Sequence, residues 1–524
     1  MSITEPPGLS RPADLSGLFA SQDVRGVVPD PLSAQVAEAL GAAFATVVVI
    51  PESGDDATPA SPEAPATGTL TCPVVVLGRD MRASGPDLSA AFARGLMAAG
   101  VDVVDIGLCS ADTLSYASGT LEAPAAMVTA NDDPAEYNGL TLCRAGARPV
   151  RVGTGLDQVR ELAEQYLTHG LPGQATQLGQ ITHRDLLADY AAFLRSLVDV
   201  SGIRRLKVVV DAGNGMAGLT APAVLGTAAG LAELPIDLVP LYFELDAAVA
   251  RHEAYPAEPE NLTDLQAAVV AHGADVGLAF DGDGDRCIVL DENGAVVSPS
   301  AIIALVGLRE VVRDQRDGRR PTVVHNLVTS AAVPDLMTAA GADVVRTRVG
   351  HSSITTQMAA RDAVFGGEHD AHYYFRDFFF ADSGMLAALH VLAALGEQPH
   401  PLSALAEVYE PYSSSGEISS PIADAADARA RVVDAYVTRQ GAGPVTVDEL
   451  DGLTVSHWED HPQWWFNLRA AGAEPVLRLN VEAADEDIMI KVRDDVLALV
   501  RDVASPTAST SSTTSSSAEG ETHS

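Results

Sequence analysis

The sequence predicts a multidomain α/β protein, and three observations carry that expectation. Short apolar runs alternate with helical stretches, and this strand–helix–strand rhythm occurs three times along the chain. From about residue 408 the chain changes character, and its last unit closes on a helix at 486–501. At 524 residues the chain is too long for one core, so roughly three to five domains are expected, and a 47% hydrophobic content can fill them.

Residues 1–13 form a loose Pro- and Ser-rich leader, and Asp23-Val24-Arg25-Gly26 reads as a polar turn after an apolar start. Helical periodicity covers 34–50, while 51–71 is acidic and low in complexity, a surface insertion. Val74–Leu77 is a strand that ends in Gly78-Arg79-Asp80; 86–99 is an amphipathic helix and Val101–Ile106 a strand. Met127 starts a strand that gives way to a turn-rich loop up to Leu140. Helices follow at 155–166 and 184–198, then a strand at Lys207–Val210 with a sharp turn at Asp211-Ala212-Gly213-Asn214-Gly215. The pattern continues with a helix at 262–272, a strand at 321–325, a helix at 330–340 and a strand at 343–346. A polar loop from Gly366 through His372 and a helix at 383–396 complete it. Residues 505–524 are a Ser/Thr tail without the apolar content of a core.

The net charge of −38 argues against nucleic acid and anionic membranes as partners. No apolar run approaches the roughly 20 residues of a membrane span. The N-terminus lacks a basic-then-apolar signal segment, so a cytoplasmic location is expected. The four cysteines, Cys72, Cys109, Cys143 and Cys287, show no metal spacing and read as reduced core thiols. Lys207 and Lys491 are the only lysines, so nearly all positive charge is arginine, which clamps phosphate well but does not exchange protons near neutral pH.

The most informative stretch is Asp281-Gly282-Asp283-Gly284-Asp285-Arg286, set between the apolar runs 276–280 and 287–290. Three carboxylates at alternate positions of a tight turn can converge, and hard oxygen ligands suit Mg²⁺. The glycines let the backbone bend. Solvated acids are the plain alternative, but an apolar frame makes three like charges costly without a cation. An EF-hand reading, with Glu292 as its twelfth position, fails because Arg286 stands where that loop needs glycine. Asp-x-Asp after a strand also suits haloacid dehalogenase phosphatases, a rival weakened by Asp285 and by the loop's place in mid-chain.

Several loops, in order, carry a resemblance. They are Asp23–Gly26, Gly78–Asp80, Thr129-Ala130, Tyr137-Asn138-Gly139, Asp211–Gly215, the Asp281 loop, Gly350-His351-Ser352, Gly367-Glu368 and the stretch from Arg469 to Arg478. Together they make the chain resemble the α-D-phosphohexomutases, in particular the actinobacterial phosphomannomutase/phosphoglucomutase branch, from Phe19 to Arg501. The resemblance implies three related α/β domains and a smaller C-terminal α+β domain. Their expected bounds are 14–172, with the active-site loop at 127–141; 173–297, with the metal loop at 281–286; 298–407, with a sugar loop at 366–373; and 408–504, with a phosphate loop at 469–478. It implies intramolecular phosphotransfer on mannose or glucose 1- or 6-phosphate through a phosphoserine, with Mg²⁺ on Asp281, Asp283 and Asp285 and a hexose 1,6-bisphosphate as activator. Arg25 and Arg286 fall at the catalytic loops. Glu368, Asp370, His372, His351, Arg469, Ala471, Ala473 and Arg478 fall at substrate-binding positions.

Four departures change the expected outcome. The family's Thr-Ala-Ser-His-Asn-Pro reads Thr129-Ala130-Asn131-Asp132-Asp133-Pro134, so Asn131, which cannot carry a phosphoryl group, holds the serine position. The lysine that serves as general acid is replaced by Thr141. Asp370 stands for a sugar-loop serine, and Ala471 and Ala473 stand for two hydroxyl donors of the phosphate loop. The expectation is a family member impaired in catalysis, a pseudoenzyme that binds metal and hexose phosphate and partners an active mutase paralogue. The alternatives are a mutase with another nucleophile, such as Asp132, and a metal-dependent sugar phosphatase.

Overall fold

The computed structural model describes residues 13–20, 22–53, 73–173, 175–246, 258–422, 424–438, 445–470 and 475–501. Most of the 51–71 insertion, the leader to residue 12 and the 505–524 tail therefore lie outside the described residues. The chain forms two compact units, Met1–Pro411 and Tyr412–Ser524.

The first unit holds three sheets. In the first, Val74–Arg79 runs parallel to both Asp102–Leu108 and Ala125–Val128, and Ile181–His183 extends the far side of Asp102–Leu108. Tyr137–Arg144 then pairs antiparallel with Ala125–Val128 and with Asp23–Val27. The stretch expected as a polar turn, Asp23 to Gly26, is thus an edge strand, and Tyr137 to Leu140 is strand rather than loop. Val24 and Leu140, on the same sheet, are both buried, an apolar anchor too sparse to be seen in a polar sequence.

Helix Ala34–Phe44 is capped by Ser33 and runs on through residue 52. Over Ala34–Glu52 it is 19 residues long and apolar enough to cross a membrane, which corrects the expectation that no run approaches that length. Its apolar content serves packing instead: 61% of the most apolar window is buried. A Cβ on Gly41 would lie 2.1 Å from the Phe92 carbonyl, and one on Gly95 would lie 2.0 Å from the Glu38 carbonyl. Two glycines therefore let helices 34–44 and 85–98 meet backbone to backbone.

The second sheet is ordered 296–297, 287–290, 276–280, 206–211, 236–241, and the third 343–347, 322–326, 365–367, 373–375. Helices at Ala111–Leu121, Ala217–Val224, Pro299–Arg316 and His351–Arg361 were not anticipated. Ser110 and Ser298 are N-caps of two of them, and Pro299 occupies a first-turn position of the longest, signals that a closer reading could have used. The expected helix at 184–198 is shorter, Leu187–Leu197. The second unit is an antiparallel sheet, ordered 413–421, 476–483, 464–470, 453–456, 446–448, covered by helices 425–433 and 486–501.

Candidate active site

The hairpin strands Val276–Phe280 and Cys287–Leu290 are fully buried and hold the Asp281 loop between them. Gly284, at φ +80°, makes the turn. One oxygen of Asp281 accepts from the amides of Gly284 and Arg286, at 3.1 Å each, and the other accepts from Arg286 Nε at 2.7 Å. Burial pushes Asp281 upward, but the Arg286 guanidinium and these bonds hold it below the usual carboxylate range. Arg286 Nε stands farther off, 4.0 Å from Asp285, and burial plus the Asp281 charge push both Asp283 and Asp285 well above that range. The ligand oxygens of the three lie within 4.8 Å of one another, and Oδ1 of Asp283 and of Asp285 is enclosed without a hydrogen-bond donor among the described residues. Like-charged buried carboxylates with oxygens left over fit a hard divalent cation.

The loop Thr129–Pro134 faces the same cavity, about 360 Å³ in volume. Asn131 is in the left-handed region at φ +46°, nine-tenths buried, and its side-chain oxygen has no hydrogen-bond partner among the described residues. The backbone of this loop is held from outside. Arg82, 2% exposed, donates to the carbonyls of Asn131, Asp133, Pro134 and Tyr137 at 2.6–2.9 Å and pairs with buried Asp80 at 3.3 Å. Arg25 donates to the Ala130 carbonyl and pairs with Asp23 at 2.8 Å and Asp133 at 3.0 Å. Asp132 also lines the cavity, where Arg286 Nη2 donates to it at 3.0 Å. Thr141 lies on the cavity wall. No lysine lines that cavity: Lys207, the only lysine of this unit, donates to the His272 carbonyl at 3.0 Å. Arg144 is committed to Glu52 at 2.8 Å.

The rest of the wall comes from the loop between strands 365–367 and 373–375 of the third sheet, from Gly350 and His351, and from Ala381 and Asp382 ahead of helix Gly384–Gly396. Glu368, 1% exposed, accepts from the Gly350 amide at 2.7 Å, Tyr374 Oη at 2.8 Å and Asn326 Nδ2 at 3.3 Å. Asp370 pairs with His372 Nδ1 at 3.1 Å. Burial alone would lower His372, but the Asp370 charge outweighs it and raises the imidazole to about 9. Asp370 is held below its ordinary range by His372 in spite of burial. Asp382 lies 3.4 Å from His351 Nδ1 and 3.9 Å from His372 Nε2.

In the C-terminal unit, Arg469 and Arg478 both pair with Glu417, the latter at 3.1 Å. Ala471 and Ala473 lie outside the described residues.

Reasoning from the sequence missed Arg82, Asp382 and the Ser110–Asp112–Ser383 link. Asp112 is buried and accepts from the hydroxyls of Ser110, Tyr190 and Ser383. Burial raises it to about 6. Through Ser383 this carboxylate ties helix 111–121 to the residue beside Asp382, and the Ala111 amide donates to the Asp283 carbonyl at 2.9 Å. Gly384 completes the contact: a Cβ there would lie 2.6 Å from the Arg286 backbone. The Gly-Arg-Asp-Met-Arg stretch at 78–82 and the Asp-Ser-Gly stretch at 382–384 were the available signals.

Comparison with known proteins adds the following. Models of the phosphoglucomutase/phosphomannomutase α/β/α domains I, II and III match residues 66–165, 188–294 and 298–412, and the C-terminal domain model matches 417–499. The chain is 33% identical over 480 residues to a phosphomannomutase of Escherichia coli K12, covering 91% of this chain and 97% of that one. It is 34% identical over 477 residues to a protein of Xanthomonas campestris named for phosphohexose mutases, covering 91% and 97%. A crystal structure of a phosphoglucomutase/phosphomannomutase family protein from Burkholderia thailandensis superposes with a TM-score of 0.75 at 27% identity, covering 92% of this chain and 96% of that one.

Proposed function

The chain belongs to the phosphoglucomutase/phosphomannomutase family, and within it we propose a protein that binds a divalent cation and a hexose phosphate but does not turn over as a mutase. The observation that carries this reading is Asn131: its carboxamide faces the cavity shared with Asp283 and Asp285, at the position where the family's phosphoserine is expected. An amide has no nucleophilic oxygen that can accept and return a phosphoryl group. Thr141 cannot supply the proton that a leaving sugar oxygen needs, a contribution of typically about 10²–10⁴-fold.

Asp281, Asp283 and Asp285 would hold Mg²⁺, which supplies charge neutralisation for phosphoryl oxygens when bound. Arg25 and Arg286 keep positive charge on the cavity wall, and Glu368 and His372 present an acceptor and a donor to sugar hydroxyls. Asp370 adds negative charge beside them and weakens the hold on an anionic sugar. Arg469 and Arg478 are the candidates for the distal phosphate, with Ala471 and Ala473 leaving it short of two hydroxyl donors. The domain limits 14–172, 173–297, 298–407 and 408–504 are the frame of this reading. The partner would be an active mutase paralogue whose substrate it shares. Calorimetry should show a mannose or glucose phosphate binding only with Mg²⁺ present, while a coupled mutase assay with bisphosphate activator stays at background. Robust turnover by protein free of host mutase would overturn the reading.

A second reading has its own observation: Asp132 faces the cavity and is held by Arg286. Its free oxygen could attack the phosphorus of a hexose bisphosphate, forming an aspartyl phosphate as the sugar oxygen leaves and takes up a proton from water. Hydroxylamine-labile phosphate on the 129–134 peptide would establish it, and hydrolysis without mutase activity would point to the phosphatase alternative.

A further inference from the structure

A second group of metal-binding side chains sits beside the aspartate triad. Oδ1 of Asp285 lies 3.7 Å from His372 Nε2, and His372 Nε2 lies 3.9 Å from Asp382 Oδ2. Both distances are too long for a hydrogen bond. They suit two atoms on one cation, since ligand bonds of about 2.0–2.2 Å put neighbouring ligands roughly 3–4 Å apart. The ligand atoms of Asp285, His372 and Asp382 all fall within 4.8 Å of one another. Two further observations point to a cation there. Oδ1 of Asp285 is enclosed and accepts no hydrogen bond among the described residues. His372 Nδ1 lies at ion-pair distance, 3.1 Å, from Asp370, while Nε2 lies nearest Asp285 and Asp382. A carboxylate behind the outer nitrogen of an imidazole is how metal-binding histidines are oriented. His351 Nδ1, 3.4 Å from Asp382, supplies a second imidazole at the edge of the cluster.

We propose that Asp285, His372 and Asp382, with His351 beside them and Asp370 orienting His372, form a second metal site that takes a transition ion such as Zn²⁺. The mixed imidazole and carboxylate donors separate it from the all-oxygen triad, which suits Mg²⁺. Asp285 belongs to both groups and would bridge the two ions. On this account the aspartate at 370 is a gain rather than a loss: it fixes the histidine that a serine would leave free to turn. The site needs no hexose phosphate and no phosphoryl transfer, so its test reads apart from the proposal above, with which it shares Asp285, His372 and Asp370.

The test is Zn²⁺ binding to the full chain after chelator treatment, read by calorimetry and by metal analysis after dialysis. Wild type should bind Zn²⁺ through the histidine site, and Asp283→Ala should retain that binding. His372→Ala should lose it, and Asp370→Ser should weaken it by about 10–100-fold, the usual effect of removing such a supporting carboxylate. Asp370→Ser is a small change at a half-exposed position, so an unchanged melting curve without metal checks that it folds. Co²⁺-loaded wild type should show a visible band that changes in His372→Ala and persists in Asp283→Ala. The proposal is overturned if His372→Ala and Asp370→Ser bind Zn²⁺ as wild type does. It is equally overturned if Asp283→Ala abolishes binding, since the ion would then sit on the triad. A failure of Mg²⁺ to stabilise the protein would count against the triad and leave these arms readable.

Discussion

Two loops face one cavity and are built in opposite ways. The loop 281–286 supports itself: Asp281 accepts from the loop's own amides and from Arg286, so the residues that would bind the ion also shape the turn. The loop 129–134 is shaped by others, Arg82 through three of its carbonyls and Arg25 through a fourth. Its carbonyls are therefore held without help from the side chain at 131. A loop held by external arginines can exchange a reactive residue for an inert one and keep its backbone, whereas the self-supporting loop cannot lose Asp281 without losing its turn.

The sharpest way to probe this contrast is to put the missing groups back into the externally held loop. Asn131→Ser alone should show no measurable mutase activity, because Thr141 still cannot protonate a leaving oxygen. Activity should appear first in Asn131→Ser combined with Thr141→Lys, the lysine contributing about 10²–10⁴-fold. It should rise further with Asp370→Ser and hydroxyl residues at 471 and 473. A coupled assay on this series checks it, and full activity in the single variant would show that the cavity lacks only the carrier.

Breaking the external support should be the next largest effect. Arg82→Ala removes the ion-pair partner of buried Asp80 and the guanidinium donor to four carbonyls. It should cost about 3–5 kcal/mol of stability, measured by denaturant unfolding. A loss under about 1 kcal/mol would mean that the loop holds its shape without it.

These two loops also differ in how far they could be read in advance. The Asp281 loop was legible because its residues, its turn and its strand frame are contiguous. Position 131 was legible only as a mismatch in a recognisable frame. Arg82, Asp112 and Asp382 were not, since each acts on residues far away in the chain: Arg82 is 49 positions from Asn131, and Ser383 is 271 from Asp112. Asp23 to Gly26 was misread as a turn because the pairing partner of its strand, Tyr137–Arg144, lies more than a hundred residues away. Periodicity sees neighbours, and tertiary pairing does not leave that trace.

A smaller effect concerns the metal. Mg²⁺ should raise the melting temperature, by about 2.7 kcal/mol of stability at a hundred times its dissociation constant. Asp283→Asn should abolish that response while making the metal-free protein more stable, because it relieves a buried like charge. A metal-free Asp283→Asn that melts lower than wild type would contradict the charge argument.

The smallest effect is the pH dependence of that response. Asp283 and Asp285 have folded pKa values raised above the unfolded ones by burial and by Asp281. Their ionised forms therefore cost the metal-free fold at high pH. That cost is relieved as pH falls through the raised values, and the relief is complete below the unfolded value. Protons and Mg²⁺ compete for the same oxygens, so the Mg²⁺-induced shift in melting temperature should shrink as pH is lowered. A shift that grows toward acid pH would contradict it.

The most direct test of the contrast between the two loops is phosphate mapping. The protein is incubated with Mg²⁺ and a ³²P-labelled hexose 1,6-bisphosphate, digested, and the 129–134 peptide examined for label. The account predicts a peptide without phosphate in the unmodified protein and a labelled serine in Asn131→Ser combined with Thr141→Lys. Phosphate on Thr129 or Asp132 of the unmodified protein would contradict it.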